Sequence, residues 1–300
     1  MFDTIIIGAG PAGLTASIYV QRAGKKALVL EAMAVGGQIR NTPEIENYPA
    51  IAKISGMQYS DDLAEQAKAL GATIKRESVR SLQLVGDVKT VTTRNATYQA
   101  RSVIIAVGAK SRELGVEKEE DLFGCGVSYC AICDGAFFAG KAVAVSGGGN
   151  TAIDDALFLA ERCSKVYLVH RRNEFRAEQI KVEQLKSKSN VELVLGYTVE
   201  SLEGEDCLQG VVVKDKQGGT RRLDVSGLFV AIGKIPNTDM LQGQIKMDDQ
   251  GYIVAGEDCK TNVDGVWVAG DCRVKNIRQL TTAVADGTVA ALGAVEYVRD

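Results

Sequence analysis

The sequence predicts an α/β chain of two doubly wound domains, the second inserted into the first. Three observations carry this expectation. A strand, a glycine loop, a helix and a second strand open the chain near residue 4, and the same pattern opens again near residue 142. Each opening has a later echo, an apolar strand ending in glycine, at residues 103–108 and 228–233. The last sixty residues hold one further apolar strand and one helical stretch. A lone strand and helix cannot bury themselves, so they must complete a domain already begun. The first domain is therefore expected at residues 1–112 with 241–300, and the second at 113–240.

The first opening runs Thr4-Ile5-Ile6-Ile7 into Gly8-Ala9-Gly10-Pro11-Ala12-Gly13. The second runs from Ala142 into Gly147-Gly148-Gly149-Asn150-Thr151-Ala152. Helical stretches follow at 14–23 and 153–162, then apolar strands at 27–30 and 166–169. In each loop the first glycine makes a tight turn and the second lets a pyrophosphate approach the backbone. The third position lets helix and strand pack closely. The helix N-terminus then faces the phosphates. Both units thus read as Rossmann-like nucleotide-binding domains. Residues 265–271 (Gly-Val-Trp-Val-Ala-Gly-Asp) form the tail strand, and the tail helix is expected at 280–298.

Composition narrows the function classes. The 300 residues include 32 glycines and 4 prolines, against usual shares of about 7% and 5%. That suits a chain needing close backbone approach inside regular structure, not a flexible linker. With 35 basic and 38 acidic residues, a net charge of −3 and no long basic run, no nucleic-acid surface is expected. No apolar run nears the ~20 residues that span a bilayer, so no membrane partner is expected. The N-terminus lacks a basic region and reads as a first strand, not a signal peptide. Seven cysteines, mostly scattered, suit a cytoplasmic protein with reduced thiols. The single histidine, His170, excludes any site needing two histidine ligands from one chain.

The two loops differ at the end of the second strand. Twenty-three residues after Gly8 stands Glu31, and the same distance after Gly147 stands His170, followed by Arg171, Arg172 and Arg176. A carboxylate at that place accepts hydrogen bonds from a ribose diol. An arginine cluster suits a 2′-phosphate. The second loop is therefore expected to hold NADPH and the first FAD, which accepts hydride and passes electrons on. The plainer readings are a solvated carboxylate, a surface basic patch and a packing role for His170. Gly270-Asp271 adds a strand end that admits a flavin cofactor and a carboxylate for its ribityl chain, unless Asp271 simply caps the tail helix.

Residues 130–135 read Cys-Ala-Ile-Cys-Asp-Gly. Structural zinc would need four ligands, and no second pair or nearby histidine exists. Cys125, Cys130, Cys133 and Cys163 match an iron–sulfur spacing, but a whole glycine loop and helix separate the last from the others. A redox dithiol is preferred. Its partner acid/base is expected to be the adjacent Asp134, which could equally start an Asp-Gly turn. Phe137 and Phe138 follow as core or as an apolar docking lip.

On these residues the chain resembles the bacterial-type, low-molecular-weight NADPH-dependent thioredoxin reductases, class II pyridine nucleotide-disulfide oxidoreductases. The matching runs span the whole length: residues 8–13, 36–38, 46–49, 130–135, 147–152, 170–172 with Arg176, 270–271 and 278–279. The resemblance implies a cytoplasmic homodimer with FAD, NADPH and thioredoxin as partners. It implies that Cys133 lies next to the flavin, that Cys130 attacks thioredoxin and that Asp134 handles protons. Gly8, Gly10, Gly13, Glu31, Gly37, Gln38, Asn47, Gly108, Gly270, Asp271, Arg278 and Gln279 would bind FAD. Gly147, Gly149, Asn150, Thr151, His170, Arg171, Arg172 and Arg176 would bind NADPH. A large domain rotation is also implied, with hinges near 111–117 and 234–239. Departures from the family pattern are Ala50 after Asn-Tyr-Pro, Val107 before Gly108, Ser146 before the second loop, Leu280 after Arg-Gln, and Ala285. Two other classes stay open: an NADPH-dependent ferredoxin or flavodoxin reductase or diaphorase with an incidental cysteine pair, and a nucleotide-binding redox sensor.

Overall fold

A computed structural model describes residues 1–42 and 44–299. The chain divides into two compact units, Met1–Lys110 with Ile235–Asp300, and Ser111–Lys234.

The first unit opens with β1 (Phe2–Ile7), α1 (Pro11–Arg22) and β2 (Ala27–Glu31). It continues through α2 (Gly56–Ala69), β3 (Thr73–Arg76), β4 (Val79–Gln83), β5 (Lys89–Thr93), β6 (Thr97–Ile105) and the short β7 (Ala109–Ser111). The second unit holds β8 (Val127–Ser128), α3 (Ala131–Asp134), β9 (Ala142–Ser146), α4 (Asn150–Ala160) and β10 (Lys165–His170). It ends with α5 (Gln179–Lys186), β11 (Val191–Leu195), β12 (Tyr197–Glu203), β13 (Gly210–Asp215), β14 (Thr220–Leu223) and β15 (Gly227–Val230). The chain returns by β16 (Lys234–Pro236) and finishes with β17 (Val266–Val268) and α6 (Leu280–Tyr297).

In the first unit the sheet order is β3-β2-β1-β6-β5-β4, with β17 also on β6. Strands β3, β2, β1, β6 and β17 run parallel, while β4 and β5 form an antiparallel flap. In β1 the residues Thr4 to Ile7 are all buried, as a strand covered on both faces requires. The tail joins this unit: β17 adds to the sheet and α6 lies on α1. That approach is close because small residues face each other. A methyl group on Gly287 would lie 2.2 Å from the Ala12 carbonyl oxygen, so any side chain there would force the helices apart.

The second unit has a five-stranded parallel sheet, β11-β10-β9-β15-β8, and a separate antiparallel sheet, β12-β13-β14. Both units are Rossmann-like. Their helices α1 and α4 start at Pro11 and Asn150, inside the glycine loops and earlier than the expected starts at 14 and 153. A proline at a first helical position already has a helical φ, and glycine before it leaves room for the turn.

Candidate active site

In the first unit the glycine loop lies between β1 and α1. Gly8 has a φ of 105°, and a methyl group there would lie 2.3 Å from the Ala106 carbonyl oxygen. Packing against β6 therefore demands glycine. Gly13 would meet the Gly8 carbonyl at 1.9 Å. Gly10 is different. Its φ is −75°, and a methyl group would find no protein atom closer than 3.9 Å, the Cα of Gly37. Neither conformation nor protein packing asks for glycine at that position. Helix α1 also starts with no side-chain cap and no acidic residue in its first turn, so its leading amides face outward beside this open place.

Glu31 ends β2 and binds that loop directly: one carboxylate oxygen accepts from the Ala9 amide at 2.7 Å and the other from the Met33 amide at 2.8 Å. Gly37 and Gln38 begin a short 3₁₀ turn, Gly37–Asn41, next to Gly10. The Asn47 amide donates to the Gln279 side chain at 3.5 Å. Gly270 packs against Ala12 in the first turn of α1. The Asp271 carbonyl accepts from the Arg278 guanidinium at 3.2 Å, and Arg278 lies over the Tyr252 ring at 4.1 Å. Gln279, not Asp271, caps α6, in a reciprocal box with Thr282. Gly108 has open space around its α-carbon, and Asn237 donates to the carbonyls of Val107 and Gly108 at 3.0 and 3.1 Å.

A residue the sequence reading missed holds this corner. The buried Asp286 accepts from the Gly270 amide at 3.0 Å, from Arg273 at 2.9 Å and from Lys275 at 2.8 Å. Burial alone would raise its pKa, but the two cations pull it below the usual carboxylate value. The available signal was an acid in the middle of the apolar stretch of α6.

In the second unit the loop repeats the logic. A methyl group on Gly147 would lie 2.4 Å from the Ala231 carbonyl oxygen. Gly148 carries the His170 ring on its face: a methyl group there would lie 2.1 Å from the imidazole. The ring also stacks on Phe175 at 5.5 Å and bonds the Glu174 carbonyl at 3.2 Å. Burial first, and then the nearby arginines, lower its pKa. His170 thus shapes the loop as a neutral packing group. Gly149 has a φ of −99°, and a methyl group there would meet no protein atom within 4 Å. As at Gly10, neither conformation nor protein packing asks for glycine there. Asn150 accepts from the Glu178 amide at 2.9 Å, while Thr151 is exposed. The Arg176 amide donates to the Gly148 carbonyl at 2.8 Å, which fixes Arg176 at the loop. Arg171 and Arg172 line an open cavity of about 360 Å³. Among the described residues, none of these three arginines forms an ion pair.

Cys130 and Cys133 form a disulfide, with Cα atoms 5.3 Å apart. Cys130 is the N-cap of the single helical turn α3 and Cys133 lies within it; the Cys130 sulfur accepts from the Cys133 amide at 3.2 Å. Asp134 ends this turn. Asp134 also starts the 3₁₀ turn Gly135–Phe138, with Gly135 in the right-handed helical region. The Ser128 hydroxyl donates to Asp134 at 2.5 Å and accepts from the Cys130 amide at 3.0 Å. Burial raises the Asp134 pKa, and the Ser128 bond opposes it. Ser128 is a second residue missed from sequence. Phe138 packs on Phe229 at 5.3 Å, whereas Phe137 and Ile132 are exposed. Cys163 is buried, and its thiol donates to the Phe138 carbonyl at 3.3 Å. Among the described residues no three His, Cys, Asp or Glu side chains converge in a way that could hold a metal ion.

Residues 2–287 match the family of pyridine nucleotide-disulphide oxidoreductases. The chain belongs to that family. It is 42% identical over 301 residues to a thioredoxin reductase of Mycolicibacterium smegmatis, covering 99% of this chain and 97% of the relative. It is 40% identical to a thioredoxin reductase of Listeria monocytogenes, covering 100% and 95%. The crystal structure of thioredoxin reductase from Streptococcus pyogenes superposes with a TM-score of 0.95 at 38% identity, covering 100% of this chain and 98% of that one. Glycine loops with open places at Gly10 and Gly149, and a disulfide with the half-buried Asp134 beside it, both suit that family.

Proposed function

We propose that the chain is a flavoprotein disulfide reductase that passes electrons from NADPH through FAD and the Cys130–Cys133 disulfide to thioredoxin. The observation that carries this is the disulfide with Asp134 on the same helical turn, in a unit whose nucleotide loop is rimmed by unpaired arginines. The open places at Gly10 and Gly149 fit the pyrophosphates of two dinucleotides. When bound, the flavin supplies a two-electron relay between a nicotinamide and a disulfide.

Around it the side chains have separate tasks. Arg171, Arg172 and Arg176 select a 2′-phosphorylated ribose. Gly147, Gly149, Asn150 and Thr151 receive the pyrophosphate, and Gly148 with His170 sets the loop's shape. Gly8, Gly10, Gly13, Gly37, Gln38, Asn47, Gly108, Gly270, Asp271, Arg278 and Gln279 enclose the flavin nucleotide. Glu31 carries the ribose and holds Ala9 at the same time. Once reduced, the Cys130 thiolate attacks a disulfide sulfur of thioredoxin, breaking that bond and forming a mixed disulfide. Cys133 then attacks the Cys130 sulfur and releases the thioredoxin dithiol. Asp134, kept protonated more readily by burial, donates to the leaving thiolate. Ile132 and Phe137 offer the apolar edge on which a protein substrate docks. The disulfide and the NADPH loop belong to one unit and the flavin loop to the other, so the two redox partners must take turns at the flavin. A homodimer in the cytoplasm completes the reading, supported by the family resemblance.

The test is NADPH-dependent reduction of thioredoxin by Cys130→Ser and Cys133→Ser. Thioredoxin reduction should vanish while NADPH oxidation by an artificial acceptor persists. Undiminished protein-disulfide reduction would overturn the reading.

A further inference from the structure

We propose that Cys125 and Cys207 are a second thiol–disulfide couple, on the surface of the 111–234 unit, that closes by exchange with a small disulfide. Of the five free cysteines, Cys163, Cys259 and Cys272 are buried, and the exposed two are Cys125 and Cys207. Those two are neighbours. The Leu208 amide donates to the Cys125 carbonyl at 2.9 Å. A methyl group on Gly126 would lie 2.3 Å from the Leu208 Cβ, so the strand entry before β8 and the turn between β12 and β13 touch. An open hollow of about 610 Å³ lies beside Cys207. Glu203, Glu205 and Asp206 outnumber Lys118 on its wall. The hollow therefore admits a neutral or cationic small disulfide better than an anionic one.

The order of steps follows from the local charges. Desolvation first, and then the neighbouring Cys125 sulfur, push the Cys207 thiol up. A thiol held up in this way is the slower nucleophile, so the first attack is assigned to Cys125. The Cys125 thiolate attacks one sulfur of the external disulfide; that S–S bond breaks, and one external thiolate leaves and takes up a proton. Cys207 then gives its proton to water and attacks the Cys125 sulfur, releasing the second external thiol. Two protein thiols are oxidised and one external disulfide is reduced to two thiols. A dithiol reverses the sequence. The closed couple ties the 206–208 turn to a point three residues before Ser128, the residue that holds both Asp134 and Cys130. It therefore links the thiol state of the surroundings to the rigidity of the segment carrying the reactive disulfide.

The flavin-loaded protein is treated with cystamine without NADPH, so that Cys130 and Cys133 stay bonded. Acid quench, thiol counting in denaturant and peptide mapping follow. Free thiols should fall from five to three, with a cross-linked peptide pair containing Cys125 and Cys207. Glutathione disulfide should react more slowly. Cys207→Ser should stop at a cysteamine adduct on Cys125. Five remaining thiols, or separate adducts on the two cysteines without a cross-link, would overturn the proposal. Equal rates with the anionic disulfide would overturn the role of the acidic hollow.

Discussion

The Ser128 hydroxyl lies 2.5 Å from the Asp134 carboxylate. It bonds the acid beside the disulfide and, through the Cys130 amide, the nucleophile's backbone. Burial raises the Asp134 pKa and this bond restrains the rise. In Ser128→Ala the restraint is gone, so the pKa climbs further. The alkaline fall of thioredoxin-dependent kcat that reports loss of the acid should move to higher pH. Asp134→Asn should lower the same rate by about 10²-fold or more and abolish that limb of the profile.

Ala50 has a φ of 69°. It follows Pro49 in a turn closed by the Ile51 amide on the Tyr48 carbonyl at 3.1 Å. Proline then a left-handed residue is the type II turn, where glycine is favoured at the second central place. An alanine there costs about 1 kcal/mol. Ala50→Gly should raise unfolding stability by about that amount, read by urea titration.

Among the described residues neither Arg171 nor Arg172, at the rim of the second loop, forms an ion pair. Charge-assisted hydrogen bonds are each worth about 1.5–3 kcal/mol. Arg171→Gln with Arg172→Gln should raise KM for NADPH by at least about tenfold and leave KM for NADH unchanged. Parallel increases for both coenzymes would point to loop damage rather than lost phosphate recognition.

Asp155, on α4, is pushed up to about 7, by burial first and by Asp154 second, with Lys234 opposing. A carboxyl whose folded pKa is raised above its ordinary 3.8 gives stability that is whole below that value and lost as pH rises through about 7. Asp155→Asn should match the parent protein near pH 4 and exceed its Tm at pH 8.

Asp286 neutralises Arg273 and Lys275 while pinning Gly270. Asp286→Ala strands two largely buried cations, a change that costs about 3–5 kcal/mol. Chemical unfolding should show that loss, and flavin should be released at lower denaturant than from the parent. Lys275→Met with Asp286→Met should recover part of the stability without restoring the Gly270 contact.

Much of this molecule could be read along the chain. The glycine loops, Glu31, the arginines and the cysteine pair stand out along the chain because each is local: a few adjacent residues form the pattern. Ala50 stood out only as a departure from the family pattern; its turn and its positive φ came from the structure. His170 shows the limit. Its position after the second strand marks the nucleotide loop, but its ring packs on Gly148, a choice made by the loop's path rather than by the strand.

By itself, then, the sequence determined two Rossmann-like domains, their two glycine loops and the cysteine pair, because these rest on short-range patterns of apolar runs and glycines. Only the tertiary structure decided which distant groups meet. Asp286 reaches Gly270 because α6 packs back on α1 through small residues. Cys207 comes to Cys125 because a β-hairpin turn packs against the entry to β8. Such meetings depend on how elements far apart in the chain share buried surface, and no local run of residues records that.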